Sequence, residues 1–208
     1  MIKKVIFDID NTLMDFPKHY EIGFKEVLDE YNLDIHPKEL YDAIGTYETS
    51  GNYVYYNKEK LIEVINKVLN LDLEINFLEN FFNMYNKLIT PIPKEVIDTL
   101  KYLKGKYKLY IISNWFTDSQ KSRLKEAGIL EYFDCVYGTD IIPMKPRKEC
   151  FMSVIGDLKP EECVMIGDNL EVDIKVPYDM GIQVYHLNKL GTSKYPTIRK
   201  IEELKERL

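Results

Sequence analysis

Two carboxylates stand two residues apart directly after a short apolar run near the amino terminus. The run Lys4-Val5-Ile6-Phe7 leads into Asp8-Ile9-Asp10-Asn11-Thr12. In a parallel sheet the carboxyl end of a strand faces the ligand crevice, so both carboxylates would reach one site. There one carboxylate can attack an electrophile or bind a metal, and the other can exchange protons. The alternative is that the two aspartates only cap the turn that follows the strand.

A second acidic cluster follows a later apolar run. Cys163-Val164-Met165-Ile166 leads into Gly167-Asp168-Asn169-Leu170-Glu171-Val172-Asp173. Carboxylate oxygens from two strand ends favour a hard cation such as Mg²⁺ over zinc, which prefers histidine or cysteine. The two acidic clusters together therefore predict a magnesium site. Asn169 and Glu171 can equally cap the helix that follows or lie on its surface.

Polar residues also follow two further apolar runs. After one of them, Ser113-Asn114 offers a hydroxyl, an amide and backbone N–H groups, which can grip phosphate oxygens. Lys145-Pro146 comes after the next apolar run, Cys135-Val136-Tyr137. Its lysine can neutralise the charge of a bound phosphate and of the aspartates. The alternative for a single lysine is a solvated surface position.

The elements that must position these residues follow a repeating pattern. Runs that are apolar on successive residues are typical of strands covered on both faces, and here they alternate with helical patterns. The predicted strands are Lys4-Val5-Ile6-Phe7, Leu109-Tyr110-Ile111-Ile112, Cys135-Val136-Tyr137, Cys163-Val164-Met165-Ile166 and Gln183-Val184-Tyr185. Helices are predicted between the later strands, over residues 119–127, 149–155 and 172–180. Such repetition predicts a parallel α/β sheet.

Residues 16–90 interrupt this pattern, because they show helical spacing and no strand signal. Apolar residues recur at that spacing in three groups, which are Tyr20, Phe24, Val27, Leu28 and Tyr31, then Leu61, Ile62, Ile65, Val68 and Leu69, then Phe77, Phe81, Tyr85 and Leu88. Pro91 and Pro93 cannot continue a helix and suit a short, stiff connector. The sequence therefore predicts a helical insertion on two linkers, and such a unit can move as a lid.

The composition narrows the class of protein. The 28 basic and 34 acidic residues give a net charge of −6, which argues against a nucleic-acid-binding surface. No apolar run approaches the roughly 20 residues of a membrane span, and the first residues lack the apolar stretch of a secretory signal. We expect a cytoplasmic protein, as a monomer or homodimer, with Cys135, Cys150 and Cys163 as reduced thiols.

The order of these motifs resembles the haloacid dehalogenase-like (HAD) superfamily of phosphohydrolases. The matching segments are Asp-x-Asp-x-Thr at residues 8–12, Ser113-Asn114, Lys145-Pro146 and Gly-Asp-x4-Asp at residues 167–173, and the resemblance covers essentially all 208 residues. It implies a doubly wound parallel sheet with the first strand central, the fourth beside it, and an all-α cap inserted after the first motif. We therefore predict an α/β core from residues 1–15 and 91–208 and a cap over residues 16–90.

The resemblance also implies a role for each motif residue. Asp8 would be the nucleophile that forms an aspartyl-phosphate, and Asp10 would be the general acid for the leaving alcohol and then the base for water. Mg²⁺ would be held by the Asp8 carboxylate, the Asp10 backbone carbonyl, the Asp168 carboxylate and, directly or through another ligand, Asp173. Residues expected to bind the phosphoryl group or substrate are Thr12, Ser113, Asn114 and Lys145.

Within the superfamily, Asp10 favours phosphoester hydrolysis, since dehalogenases lack this second aspartate. Asn11 stands where many members have glycine, and asparagine tolerates the left-handed backbone that this turn requires. The resemblance thus implies a phosphatase of a small phosphorylated metabolite, similar to the nucleotidase and small-phosphatase branches. Two alternatives stay open, a phosphosugar mutase of the same superfamily and a receiver-like phosphoacceptor module that does not turn over.

The predicted cap should select the substrate, and its stretch of residues 51–57 is rich in tyrosine. Tyr47, Tyr53, Tyr55 and Tyr56 are candidates for stacking on a base or sugar, with cap packing as the alternative. Trp115 and Phe116, directly after Ser113-Asn114, are further candidates for substrate contact. His19, His36 and His186 have no partner in the sequence pattern that would make them bases, so they are left out of the predicted site.

Overall fold

The computed structural model describes residues 1–17, 20–50 and 53–208. Its strands are β1 (Lys4–Phe7), β2 (Lys108–Ser113), β3 (Cys135–Gly138), β4 (Cys163–Gly167), β5 (Gln183–Leu187) and β6 (Thr197–Ile198). Its α-helices are α1 (Tyr20–Glu30), α2 (Pro37–Thr49), α3 (Lys58–Leu69), α4 (Ile75–Tyr85), α5 (Lys94–Lys104), α6 (Thr117–Glu126), α7 (Lys148–Ile155), α8 (Lys175–Asp179) and α9 (Leu204–Arg207). This arrangement confirms the α/β class with a helical insertion after the first strand.

The strands form one parallel sheet in the order β3-β2-β1-β4-β5-β6. Strand β1 is central and all four of its residues are buried, which explains why it is apolar on successive residues. Phe7 of β1 is in register with Ile111 of β2 and with Ile166 of β4. The residues that follow these three strands therefore emerge side by side at one edge of the sheet.

Three details of the α/β core differ from the prediction. The short strand β6 has only two residues, too few to give a recognisable pattern, and it pairs with β5 at the edge. His186 lies within β5 rather than after the last strand, and it is buried. The helix predicted over residues 172–180 is divided into a π-helical turn, Leu170–Ile174, and α8.

The described residues of the insertion form four helices, α1 to α4, where the spacing of apolar residues indicated three. Helix α2 was missed, although Leu40, Ala43, Ile44 and Tyr47 recur at helical spacing on its buried side. Val68 was assigned to an apolar face but is 48% exposed. The helices share an aromatic core that also includes Trp115 and Phe116 of the sheet domain.

A strip of backbone joins the insertion to the loop after β3. The N–H of Tyr56 donates to the carbonyl of Thr139 at 2.7 Å, and the N–H of Met144 donates to the carbonyl of Val54 at 2.8 Å. Residues 54–56 therefore lie along the segment that leads directly to Lys145.

In the part of the chain that the structure describes, no helix has the length and apolar character needed to cross a bilayer. The three cysteines are free thiols, with Cys150 and Cys163 buried and Cys135 partly buried.

Asp134 ties α5 to the start of β2 and gives the fold an acid-sensitive contact. Its carboxylate accepts hydrogen bonds from Lys104 Nζ at 2.8 Å, Lys108 Nζ at 3.0 Å and the Leu109 N–H at 3.0 Å. Burial acts to raise the pKa of Asp134, but these hydrogen bonds outweigh it and lower the pKa to about 2.

We expect Asp134→Asn to lower the free energy of unfolding by about 1 kcal/mol at pH 7, allowing for solvent screening. Because the pKa of the folded state lies below that of the unfolded state, this stabilisation is complete above about pH 4 and is lost as the pH falls toward 2. Urea unfolding of both proteins at pH 7 and at pH 3 measures the difference. A difference of equal size at both pH values would exclude the ionic origin.

Candidate active site

The predicted catalytic residues meet at the carboxyl edge of the sheet. Asp8 directly follows β1, Ser113 ends β2 and Asp168 directly follows β4. The parallel register of the three strands brings these residues to one crevice. The three strand ends therefore lie next to one another, and the residues that follow them share one edge of the sheet.

Lys145 is buried between two carboxylates, which is the opposite of a solvated surface lysine. Its Nζ donates to Oδ1 of Asp8 and to Oδ1 of Asp173, both at 2.7 Å, and only 2% of the residue is exposed. The Asn114 side chain holds the backbone of Lys145 at both polar groups, since Nδ2 donates to its carbonyl at 3.0 Å and Oδ1 accepts from its N–H at 2.9 Å. Asn114 therefore fixes the point from which the lysine enters the site.

The carboxylates of Asp8, Asp168 and Asp173 form a cluster with the composition of a hard-cation site. One oxygen of each lies within 4.8 Å of the others. A Cβ atom at Gly167 would lie 2.4 Å from the Asp173 side chain, so the absence of a side chain there makes room for this carboxylate. Three carboxylate oxygens in a largely buried setting fit Mg²⁺.

Asp8, Asp168 and Lys145 all have a raised pKa. Burial raises the pKa of Asp8, with Asp173 adding to the rise and Lys145 opposing it, and burial together with Asp173 raises the pKa of Asp168. Burial disfavours the charge of Lys145, but Asp173 and Asp8 outweigh it and raise its pKa. The buried lysine contacts two of the three carboxylates, so a divalent cation would relieve the remaining negative charge.

Asp10 faces the same cavity but is held by different partners. Arg123 of α6 makes a bidentate ion pair with it, from Nη2 to Oδ1 at 2.7 Å and from Nη1 to Oδ2 at 3.0 Å, and the arginine is completely buried. The guanidinium also lies 4.8 Å from the ring centre of Tyr85 on α4. Gln120 accepts from Arg123 at 2.9 Å and donates to Ser113 Oγ at 2.7 Å.

Sequence reasoning missed Arg123 and Gln120. Their spacing of three residues places both on one face of α6, and a glutamine and an arginine on the buried face of a polar helix were an available signal. Their contacts connect the second aspartate of the first motif to the serine of the second motif.

The turn after β1 is shaped by Asn11 and Thr12. Asn11 has a φ of 60°, in agreement with the left-handed backbone expected at this position, and its Oδ1 accepts from the Phe16 N–H at 3.0 Å. The buried Thr12 hydroxyl donates to Oδ1 of Asp168 at 3.4 Å. Thr12 thus contacts a predicted metal ligand. It does not line the cavity between the strand ends and the helical insertion.

A cavity of about 480 Å³ lies between the strand ends and the helical insertion. Its lining is made of Asp8, Asp10, Asn11, Phe16, Phe24, Tyr41, Ile44, Gly45, Glu48, Thr49, Phe81, Tyr85, Ser113, Asn114, Trp115, Lys145, Asn169, Val172 and Asp173. The strand-end groups form its floor, and aromatic side chains dominate the face made by the insertion. A phosphomonoester of moderate size fits a cavity of this volume.

The aromatic candidates for substrate contact divide into two groups. Trp115 lines the cavity, whereas Tyr47, Tyr53, Tyr55, Tyr56 and Phe116 are not part of its lining. Tyr53 stacks on Tyr47 at 4.4 Å, and Tyr56 packs against Phe116 at 5.6 Å, so this region is used in cap packing. Gly51 and Asn52, within the tyrosine-rich stretch, lie outside the described residues.

Two histidines have structural contacts. His36 accepts from the Lys38 N–H at the start of α2, while His186 Nε2 donates to the Asp168 carbonyl at 2.9 Å.

The residues after Asp168 begin the next helical turn. Asn169 accepts from the N–H groups of Glu171 and Val172 and also lines the cavity. Glu171 pairs with Lys175 on the surface. His19 lies outside the described residues.

Comparisons with known proteins agree with this geometry. The glyceraldehyde 3-phosphate phosphatase of Methanothermobacter thermautotrophicus is 28% identical over 197 residues, which cover 90% of this chain and 86% of that protein. The pyrimidine 5′-nucleotidase YjjG of Escherichia coli is 25% identical over 204 residues, covering 88% and 85%. In fold, the chain is similar to the HAD-hydrolase YfnB of Bacillus subtilis bound to magnesium, with a TM-score of 0.76, 20% identity and coverage of 100% and 98%.

The family assignment rests on a further match. The model of the family described as haloacid dehalogenase-like hydrolase matches residues 2–177, which include every motif discussed above. A non-enzymatic receiver module is therefore the wrong class. The chain is a hydrolase of the haloacid dehalogenase-like family.

Proposed function

We propose that this protein is a cytoplasmic, Mg²⁺-dependent phosphatase of a small phosphomonoester. The observation that carries the proposal is the position of the Asp8 carboxylate. It lies at the end of β1, 2.7 Å from Lys145 Nζ, and it borders a cavity that Asp10 also lines. A nucleophile, a proton donor and cationic support for phosphate thus share one floor.

In the proposed reaction an Asp8 oxygen attacks the phosphorus atom and the bond from phosphorus to the ester oxygen breaks. Asp10 gives its proton to that oxygen, which leaves as the alcohol. Asp10 then accepts a proton from water as the water oxygen attacks phosphorus. The bond from Asp8 to phosphorus breaks, inorganic phosphate is released and the Asp8 carboxylate is restored.

The groups that would hold the phosphoryl oxygens are Ser113, the Asn114 backbone and Lys145. Gln120 donates to Ser113 Oγ, so the hydroxyl hydrogen of Ser113 remains available for a phosphate oxygen. Mg²⁺ held by Asp8, Asp168, Asp173 and the Asp10 backbone carbonyl would neutralise negative charge on phosphate and carboxylates. The named phosphatase and nucleotidase relatives support this chemistry, and sugar phosphates and nucleoside monophosphates are the substrate classes to test first.

Phosphate release from a panel of phosphomonoesters tests the proposal. Release from at least one ester with saturation behaviour is expected. Movement of phosphate between two positions of a sugar without net release would instead identify a mutase. Absence of both activities across the panel would overturn the proposed function.

Metal removal provides an independent prediction. After dialysis against a chelator we expect the rate of phosphate release to fall at least about 100-fold, because the three carboxylates then repel the phosphate dianion. Added Mg²⁺ should restore the rate. A chelated enzyme that keeps its full rate would show that the carboxylate cluster does not serve a metal in the reaction.

A further inference from the structure

Glu48 is the carboxylate that the helical insertion places in the cavity wall, among the residues that the structure describes. It lies in the last turn of α2, near the helix end that carries partial negative charge. A carboxylate at that end is unfavourable for the helix itself. Glu48 is therefore poorly explained as a stabilising residue.

Glu48 has no cationic partner among the residues that the structure describes. Within residues 1–17, 20–50 and 53–208 no lysine, arginine or histidine forms an ion pair with it. Burial raises the pKa of Glu48 to about 7, against an opposing effect of the Tyr56 hydroxyl and with a further rise from Asp10. The buried Tyr56 hydroxyl lies near this carboxylate and favours its charged form. Glu48 is half-buried, and its two carboxylate oxygens can accept a further hydrogen bond from a group in the cavity.

The two ends of the cavity differ in the hydrogen bonds that they offer. On the floor, Lys145 and Ser113 can donate hydrogen bonds to phosphate. The face made by the insertion instead presents aromatic rings and the Glu48 carboxylate. A phosphomonoester bound with its phosphate on the floor turns its alcohol portion toward Glu48. An acceptor in that position suits an alcohol that carries a donor and repels one that carries a negative charge.

We propose that Glu48 selects the leaving group, so that the enzyme prefers phosphomonoesters whose alcohol portion carries a hydroxyl or ammonium group and discriminates against anionic ones. This inference rests on the proposed phosphatase activity. Neighbouring rings such as Tyr41 and Trp115 supply apolar contact area, and Glu48 supplies the polar selection. Both a hydroxyl and an ammonium group on the alcohol portion can donate a hydrogen bond to the Glu48 carboxylate.

A matched series of three-carbon esters tests the proposal. Glycerol 3-phosphate carries hydroxyls, 3-aminopropyl phosphate an ammonium group, n-propyl phosphate no donor, and 3-phosphoglycerate a carboxylate. At about pH 8.5, above the pKa of Glu48, we expect kcat/KM of the wild-type enzyme to be about 10-fold higher with a donor than with n-propyl phosphate, and lowest with 3-phosphoglycerate. Uridine 5′-monophosphate and its 2′,3′-dideoxy form give the same comparison for a longer alcohol portion.

Two substitutions separate the charge of Glu48 from its capacity as an acceptor. Glu48→Gln keeps an acceptor oxygen and removes the charge, so kcat/KM should fall for the ammonium ester and rise about 10-fold for 3-phosphoglycerate. Glu48→Leu removes the acceptor as well, so the preference for hydroxylated esters over their deoxy counterparts should disappear. Asp42→Asn, an exposed site on the same helix, is the matched control and should keep the wild-type order of substrates.

The outcomes distinguish failure of this inference from failure of the proposed function. Equal wild-type rates with donor, apolar and anionic esters in both series would overturn the role of Glu48, as would variants that slow every ester by the same factor. If the wild-type enzyme releases phosphate from none of these esters or from the wider panel, the phosphatase assignment itself fails. Purified protein with all 208 residues serves for every assay.

Discussion

Replacement of Asp8 by asparagine should lower kcat for phosphate release by at least about 10⁴-fold, which is the scale seen when a covalent nucleophile is removed. The amide is a poor nucleophile and cannot form the acyl-phosphate. Lys145 keeps its 2.7 Å contact with Asp173, so the ammonium group remains paired and we expect the variant to fold. Steady-state release of phosphate measures the effect.

The covalent step can be observed directly. Acid quenching of wild-type enzyme during turnover of a radiolabelled ester should trap label on the protein, and Asp8→Asn should trap none. Asp15→Asn is the matched control, since Asp15 is an exposed acid in the same segment. Retention of more than about a hundredth of the rate, or trapping of label on the variant, would be incompatible with Asp8 as the nucleophile.

Replacement of Arg123 by methionine should have the second largest effect. The change leaves the Asp10 carboxylate without its bidentate partner in a largely buried setting, so we expect the free energy of unfolding to fall by about 2 to 4 kcal/mol. Asp10 also loses the contact that orients it for proton transfer, which should lower kcat about 100-fold for alkyl esters. Arg123 is a positioning residue in this argument, since it acts through Asp10.

The leaving group distinguishes positioning from general damage. An alkyl alcohol needs a proton as it leaves, whereas p-nitrophenolate leaves readily without one. Arg123→Met should therefore slow alkyl esters about 10-fold more than p-nitrophenyl phosphate. Equal slowing of both would assign Arg123 a purely structural role. Lys125→Met, an exposed substitution on the same helix, is the control.

Stability of the double variant tests the same ion pair. In Arg123→Met/Asp10→Asn no charge is left unpaired, so urea unfolding should show a smaller loss than the sum of the two single losses. Additive losses would mean that the two side chains do not stabilise each other.

The core elements were predictable because buried parallel strands have a simple signature. In β1, Val5, Ile6 and Phe7 are apolar and Lys4 has an aliphatic stem. Polar residues begin where the strand ends, so both the strand and the site at its tip could be located. Asp8 and Asp168 were found in this way. The left-handed backbone at Asn11 could be expected as well, because few other residue types tolerate it.

Other parts of the site depend on contacts that sequence spacing does not encode. Arg123 reaches Asp10 across 113 positions in the chain, and nothing in the local pattern of α6 indicates that partner. Glu48 has the appearance of an ordinary helical glutamate until the packing of the insertion turns it toward the cavity. Its helix, α2, was itself missed, so the residue could not be placed.

The backbone strip between residues 54–56 and the loop after β3 has a kinetic consequence. If the insertion moves as a lid, opening must break the hydrogen bonds from Tyr56 to Thr139 and from Met144 to Val54. The second of these lies one residue before Lys145, so opening also releases the chain segment that carries the phosphate-binding lysine. Inorganic phosphate then leaves in the same step in which Lys145 releases it. The strength of the two backbone hydrogen bonds therefore helps to set the turnover rate.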